Sequence, residues 1–261
     1  MIKYGIITIA GIYILICLAL FLIQEKLLFF PYELPQNHQY NFNDFFEEIN
    51  LEAKDGTTLH GVHFKVEKPK GVILFLHGNG GTINDWGQGA GFYTNLGYDI
   101  FYLDYRGYGK SGGKIKSEPQ LITDAQLVYD YLKQHFSESD IIVSGTSIGT
   151  GMAVQLAANN QPKLLFLNVP YASLQQVIKE KIPFVPNFII KYKLKSEQFI
   201  SKIDCPIYAF HGDKDDVIPH HHSEQLKKKY SKIQLTILKD FGHNNIPSSE
   251  EYIRQMTEIL N

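Results

Sequence analysis

Ile141-Ile142-Val143-Ser144-Gly145-Thr146-Ser147-Ile148-Gly149-Thr150-Gly151 is the stretch whose reading decides how this chain folds. β-Branched residues run into Gly-x-Ser-x-Gly, and small or apolar residues follow: Met152, Ala153, Val154, Leu156, Ala157 and Ala158. The pattern predicts a strand, a sharp turn with Ser147 at its apex, and a helix. Glycine is required on both sides of the serine, because a side chain at Gly145 or Gly149 would strike the neighbouring strand or helix in so tight a bend. The turn lifts the hydroxyl above the sheet edge and places free N–H groups of the new helix beside it. A bare Gly-x-Ser-x-Gly is common in ordinary turns. The flanking strand and helix make this one a candidate nucleophile elbow.

Working outward, strands recur on both sides. Glu48 to Ala53 and Thr58 to Phe64 flank a turn at Lys54-Asp55-Gly56, a hairpin pattern. Gly71-Val72-Ile73-Leu74-Phe75-Leu76 is continuously apolar, as expected of a strand buried on both faces, and ends in His77-Gly78-Asn79-Gly80-Gly81. Asp99 to Leu103 is another, ending in Asp104-Tyr105-Arg106-Gly107-Tyr108-Gly109-Lys110-Ser111. A helix is expected between Ser117 and His135, where Leu121, Ile122, Ala125, Val128, Tyr129 and Leu132 recur at helical spacing. Beyond the elbow come strands at Leu164 to Val169, Pro206 to Phe210 and Gln234 to Leu238, with helices over Ser223 to Tyr230 and Ser249 to Leu260. An antiparallel hairpin followed by alternating strands and helices predicts an α/β domain, residues 48–261, on a mostly parallel eight-stranded sheet with helices on both faces. Sites in such sheets gather at the carboxyl ends of the strands, where each of these polar or glycine-rich motifs falls.

Residues 171–202 break the alternation. They hold Pro183 and Pro186, bulky apolar residues such as Phe184 and Phe188, and lysines at 179, 181, 191, 193 and 195. Two readings stand: a short helical cap over the site, or a connection that merely covers the sheet.

At the N-terminus, Gly5 to Ile23 is almost unbroken apolar sequence, long enough as a helix at about 1.5 Å per residue to cross the roughly 30 Å hydrocarbon layer. No small-residue cleavage site follows it, and Ile16 stands where a small residue would precede a lipidated Cys17. The expectation is a retained single-pass anchor over residues 1–26, then a strap and linker over 27–47. Lys3 and the α-amino group precede the run, while Glu25 and Lys26 cancel after it. The charge bias therefore places the domain on the non-cytoplasmic side. The chain of 261 residues suffices for one sizeable domain; its formal net charge of −2 gives no reason to expect nucleic acid. Its two cysteines, Cys17 and Cys205, make no disulfide framework.

A serine hydroxyl attacks only once a base takes its proton, and the base needs a carboxylate to hold it. His243, in Phe241-Gly242-His243-Asn244-Asn245 after the last strand, sits at the correct edge for that base. His77 and His211 read as shapers of backbone turns. His220-His221-His222 suggests metal, but adjacent histidines do not share a helical face and no carboxylate or cysteine pattern accompanies them, so no metal and no cofactor is expected. The acid lies in His211-Gly212-Asp213-Lys214-Asp215-Asp216-Val217-Ile218-Pro219, and local physics does not separate its three aspartates. Asp104, Arg106 and Ser111 read as a structural turn.

Four motifs in order, residues 77–81, 104–111, 145–149 and 211–219, make the chain from about residue 48 onward resemble the α/β-hydrolase superfamily. The short cap and the anchor are similar to its small membrane-tethered branch that includes eukaryotic protein depalmitoylases. The resemblance implies Asp215 as the acid, with Asp213 and Asp216 as solvated turn residues. It also implies an oxyanion hole from the N–H groups of Asn79 and Ile148. Thr146 stands where many relatives carry a bulkier residue, which bears on the pocket rather than the mechanism. The implied activity is a membrane-anchored serine esterase or thioesterase, with Ser147 as nucleophile, acting on a lipid or an acylated protein. A serine aminopeptidase-like peptidase and a non-catalytic tethered scaffold are the alternatives.

Overall fold

A computed structural model describes residues 2–261; Met1, with which the expected anchor begins, lies outside them. Helix α1, Ile2–Leu28, carries the apolar N-terminal run. The sheet strands are β1 Phe46–Glu52, β2 Thr58–Phe64, β3 Val72–Leu76, β4 Asp99–Leu103, β5 Ile141–Thr146, β6 Leu164–Asn168, β7 Ile207–Gly212 and β8 Gln234–Leu238. They lie in the order β1-β2-β4-β3-β5-β6-β7-β8. β1 and β2 pair antiparallel about the Asp55-Gly56 turn, β2 pairs antiparallel with β4, and every later pairing is parallel.

The two faces of the sheet are told apart by period two in the strands. In β3, Val72, Leu74 and Leu76 enter one core with α4 (Glu118–Leu132), α5 (Ile148–Asn159) and α8 (His221–Lys229). Ile73 and Phe75 enter the other core with α2 (Ile83–Trp86), α3 (Ala90–Thr94) and α9 (Glu250–Leu260). Being covered on both sides, β3, β4 and β6 are buried at every position, which is why their sequences do not alternate. Caps start the helices where the chemistry allows: Ser117, Ser173 and Ser249 each accept an N–H of the first turn.

Between β6 and β7 the chain forms α6 (Leu174–Lys181) and the one-turn α7 (Ser196–Phe199), joined by an irregular stretch holding both prolines. This segment sits over the end of α5, so of the two readings the covering layer also walls the site. The strap expected over 27–47 does not behave as a spacer. Phe29 and Tyr40 are buried, Leu34 N–H donates to the Gly109 carbonyl, and Tyr40 stacks on His60 at 5.8 Å. Its aromatic residues had too much apolar surface to leave in water.

Candidate active site

β5 ends at Thr146 and α5 begins at Ile148, leaving Ser147 alone in the bend with φ 54° and ψ −121°. A non-glycine residue rarely adopts this left-handed backbone, and surrounding contacts must hold it there. Ser147 N–H donates to the Asn168 carbonyl at 2.9 Å, Thr150 Oγ1 donates to the Ser147 carbonyl at 2.6 Å, and Tyr171 OH donates to the Ile148 carbonyl at 2.9 Å. The two glycines are required by contact. A Cβ on Gly145 would lie 2.7 Å from the Gly149 carbonyl oxygen, and one on Gly149 would overlap the Leu76 carbonyl.

The carboxyl ends of β5, β7 and β8 bring the expected side chains together. Ser147 Oγ donates to His243 Nε2 at 3.0 Å, and His243 Nδ1–H donates to Asp215 Oδ2 at 2.7 Å. The other carboxylate oxygen, Oδ1, accepts Val217 N–H at 2.9 Å and Ile218 N–H at 2.8 Å. His211, read from sequence as a turn former, also faces this acid: its Nε2 lies 3.2 Å from Asp215 Oδ2 and 2.8 Å from the Ile218 carbonyl. Burial alone would raise the Asp215 carboxyl, but hydrogen bonds from His211, His243 and Ile218 N–H outweigh it and hold the acid well below the usual carboxylate range. Of the other two aspartates, Asp216 is exposed and Asp213 accepts Asp240 N–H at 2.7 Å.

Asn79 and Ile148 both border the cavity at Ser147. The peptide that carries the Asn79 N–H is aimed by its own carbonyl: Gly78 C=O accepts from His77 Nδ1 at 2.6 Å. Burial pushes the His77 imidazole down to about 4, so it is neutral and its single proton is committed to that bond. The following carbonyl, Asn79 C=O, accepts Tyr108 OH at 2.8 Å and Phe30 N–H at 3.1 Å, and Trp86 Nε1–H donates to the Gly80 carbonyl at 2.9 Å. Asp104 is buried beneath this loop, where desolvation and Asp85 push it up to about 7 against the Ile83 N–H bond. Arg106 spans Asp124, with bonds at 2.6 and 2.9 Å, and Asp55 at 2.7 Å, and Ser111 Oγ donates to the Asp104 carbonyl. These three residues brace the turn and do not reach Ser147.

Two cavities meet at Ser147 and Asn79. One, of about 300 Å³, runs beneath α6 and is lined by Leu174, Val177, Ile178 and Val185 together with Leu20 and Leu27 of α1. The other, of about 510 Å³, lies on the His243 side among Trp86, Phe92, Tyr93 and Tyr252, with Thr146 in its wall. Among the described residues, neither is lined by an aspartate or glutamate. The sequence had not pointed to Trp86 or to α1 as cavity walls; a lone Gln24 at the end of an apolar run was the one available sign.

The histidine run requires a correction. His221 and His222 do face one partner: their rings stack at 4.5 Å, and each Nε2 contacts Glu180 of α6, at 3.2 and 3.1 Å. Adjacent residues can do this because each imidazole meets a different oxygen of the one carboxylate, Oε1 for His221 and Oε2 for His222. Burial would raise the Glu180 carboxyl, but Gln176 and the two imidazoles lower it, so the cluster reads as a polar tie between cap and core.

Comparison with known proteins bears on the fold and the family. Residues 67–191 match the family described as serine aminopeptidase, S33. Protein bem46 of Schizosaccharomyces pombe is 32% identical over 213 residues, spanning 75% of this chain and 71% of that protein. The chain belongs to the α/β-hydrolase superfamily. Alpha/beta hydrolase domain-containing protein 17B of Xenopus laevis is 30% identical over 198 residues, covering 73% of this chain and 66% of that one. Among solved structures, an esterase of Pyrococcus furiosus superposes with a TM-score of 0.72 at 18% identity, over 88% of this chain and 95% of that chain. This α/β-hydrolase chain thus has a hydrolase's fold. Among the described residues it also has one helix, α1, long and apolar enough to cross a membrane.

Proposed function

We propose that the protein is a serine hydrolase of carboxylic esters or thioesters, held to a membrane by α1, with its domain on the non-cytoplasmic side. The observation that carries the reading is the hydrogen-bonded series Ser147–His243–Asp215 at 3.0 and 2.7 Å, opening on two apolar cavities. In this mechanism His243 Nε2 takes the Ser147 proton as Oγ bonds to the acyl carbon. Asp215 holds the Nδ1–H tautomer and stabilises the imidazolium, while the N–H groups of Asn79 and Ile148 receive the oxyanion. The bond to the alcohol or thiol then breaks, and the leaving group departs with the proton from His243. Water, deprotonated by the same imidazole, attacks the acyl-enzyme and returns free acid and serine. No metal or cofactor enters any step.

The matched family's description favours a peptidase as the second reading. An aminopeptidase must hold the substrate's ammonium, which calls for carboxylates in the site. Neither cavity has one among the described residues, and the one charged side chain bordering the smaller cavity is Lys181. A fluorophosphonate probe should label the wild-type protein and not Ser147→Ala, and p-nitrophenyl acyl esters should turn over faster than aminoacyl p-nitroanilides. Equal labelling of both proteins would leave only the scaffold reading. Faster anilide turnover would establish the peptidase.

A further inference from the structure

The smaller cavity is closed on one side by the helix that would anchor the protein. Leu20, Gln24 and Leu27 of α1 face Leu174, Val177 and Ile178 of α6, and the floor between them reaches Ser147. Specific bonds seat α1 there. Gln24 is buried; its Nε2 donates to the Ile189 carbonyl at 3.0 Å and its Oε1 accepts Lys191 N–H at 2.8 Å. Glu25 accepts from Lys191 Nζ at 2.9 Å and from Tyr192 OH at 3.1 Å. Nearer the N-terminus, Tyr13 OH donates to the Phe184 carbonyl at 2.9 Å.

That last contact sets a depth. The apolar run of α1 ends at Ile23, and Tyr13 lies three turns before Gln24, about 16 Å along the axis. With α1 across a bilayer, the stretch between α6 and Lys191 reaches well below the headgroups, and its composition suits that place. Phe184 and Phe188 are 53% and 83% exposed. Pro183 and Pro186 have no N–H to satisfy. The carbonyls of Pro183 and Val185 accept from Lys179 Nζ, that of Phe184 from Tyr13, and that of Ile189 from Gln24. Irregular backbone survives at membrane depth only where the protein itself satisfies it, and these four carbonyls are met by side chains rather than by water.

We propose that the long acyl chain of a bilayer lipid ester enters the smaller cavity sideways, between α1 and α6, from the leaflet in which the cap tip is sunk. Helix α1 is then a wall of the acyl site as well as a tether. The proposal rests on the serine-hydrolase reading and names its substrate class. The cavity on the far side of Ser147 favours a lipid over an acylated protein. It is an apolar-walled recess of about 510 Å³ among Trp86, Phe92, Tyr93 and Tyr252, a size that takes the glycerol portion of a lipid leaving group and not a folded polypeptide.

The test uses the full chain in phospholipid nanodiscs. Leu20→Trp fills the cavity from α1, while Leu22→Trp adds the same bulk at a position of α1 that is 63% exposed and lines neither cavity at Ser147. The readout is the ratio of kcat/KM for a palmitoyl ester embedded in the disc to that for p-nitrophenyl butyrate. Displacing even a few methylenes from an apolar site should lower that ratio roughly tenfold or more in Leu20→Trp, and Leu22→Trp should keep the wild-type ratio. A wild-type ratio in Leu20→Trp, with fluorophosphonate labelling intact, overturns the proposal and leaves the hydrolase reading standing. Loss of labelling in the wild-type protein overturns both. Turnover of an S-palmitoylated peptide with no lipid ester hydrolysed also overturns it. Should Leu20→Trp fail to fold, a palmitoyl lipid bearing a terminal diazirine settles the matter on the wild-type protein. Crosslinks to Tyr171, Leu174 or Val177, which line the cavity and are buried from surrounding lipid, support lateral entry; crosslinks confined to the exposed faces of α1 and to Phe184 and Phe188 refute it.

Discussion

Replacing Asp215 by Asn removes a charge while keeping the shape, and the hydrogen bonds decide which tautomer His243 adopts. Four donors converge on this carboxylate: Val217 and Ile218 N–H on Oδ1, and the imidazoles of His243 and His211 on Oδ2. An asparagine offers one oxygen. If that oxygen turned toward His243, both backbone donors would face an NH₂ group, and the buried Ile218 N–H would cost about 1–3 kcal/mol. Keeping the oxygen on the backbone costs less, because His211 retains the Ile218 carbonyl at 2.8 Å and His243 need only change tautomer. His243 would then carry its proton on Nε2, pointing at Ser147, and could not accept one from it. A wrong-tautomer base of this kind lowers kcat by about ten-thousand-fold, or about 5 kcal/mol of barrier. The assay is hydrolysis of p-nitrophenyl butyrate by Asp215→Asn beside Asp213→Asn and Asp216→Asn, the latter two expected within about threefold of wild type. The stability profile supplies a second check. Because the Asp215 carboxyl is held below its ordinary value, its ionised form stabilises the fold above about pH 4, and that stabilisation is lost as pH falls toward the folded-state value. The variant should lack that slope. Activity within tenfold of wild type in Asp215→Asn, with collapse in either neighbour, would refute the assignment and the tautomer argument with it.

Ser147→Gly should abolish turnover yet raise thermal stability. The left-handed backbone at φ 54° costs a serine about 1–3 kcal/mol that glycine does not incur, roughly 2–4 °C of Tm per kcal/mol by calorimetry. Asp104→Asn should change how stability depends on pH. The buried acid is raised to about 7, so its contribution is full below about pH 4 and lost as pH climbs through 7; the variant should therefore gain on wild type between pH 5 and pH 8 in chemical denaturation. Arg106→Gln leaves Asp124 buried without its cation and should cost about 3–5 kcal/mol of stability, while turnover per fluorophosphonate-titrated site stays within about twofold of wild type.

Much of this was legible in the sequence because the α/β-hydrolase fold writes its site at strand ends. The elbow, the glycine loop after β3 and the loops after β7 and β8 each carried a local signature that needed no knowledge of distant contacts. The choice of Asp215 did not follow from local physics. It is the aspartate whose carboxylate is closed over by the N–H groups two and three residues on, a loop conformation that three neighbouring aspartates do not advertise. Helices α2 and α3 escaped notice because they span four and five residues, too short to show a period, although Thr82 and Asp85 form a capping box that marked the first. The union of Glu180 with His221 and His222 was hidden for another reason. It joins groups 41 and 42 positions apart across two elements, and a carboxylate with two oxygens serves two side chains that do not share a helical face.

Least legible was the part α1 plays, since a uniformly apolar run carries no record of which face packs against protein. The length of the helix explains how it serves two ends. Its 27 residues extend about 40 Å, against roughly 30 Å of hydrocarbon, so in the proposed anchor about two turns would project on the domain side. Those turns hold Gln24, Glu25, Leu27 and Leu28, which grip the cap or border the cavity. Two residues beyond, Phe30 N–H donates to the Asn79 carbonyl and to Tyr108 OH, and Tyr108 OH donates to that same carbonyl. The chain therefore passes from the proposed anchor to the loop proposed to receive the oxyanion with no free linker between. A flexible tether would keep the domain near the membrane and leave its orientation to diffusion. A helix continuous with both the proposed acyl wall and the Asn79 loop would fix orientation and site together, the surface proposed to meet the bilayer and the cleft that holds Ser147 being set by the same few contacts.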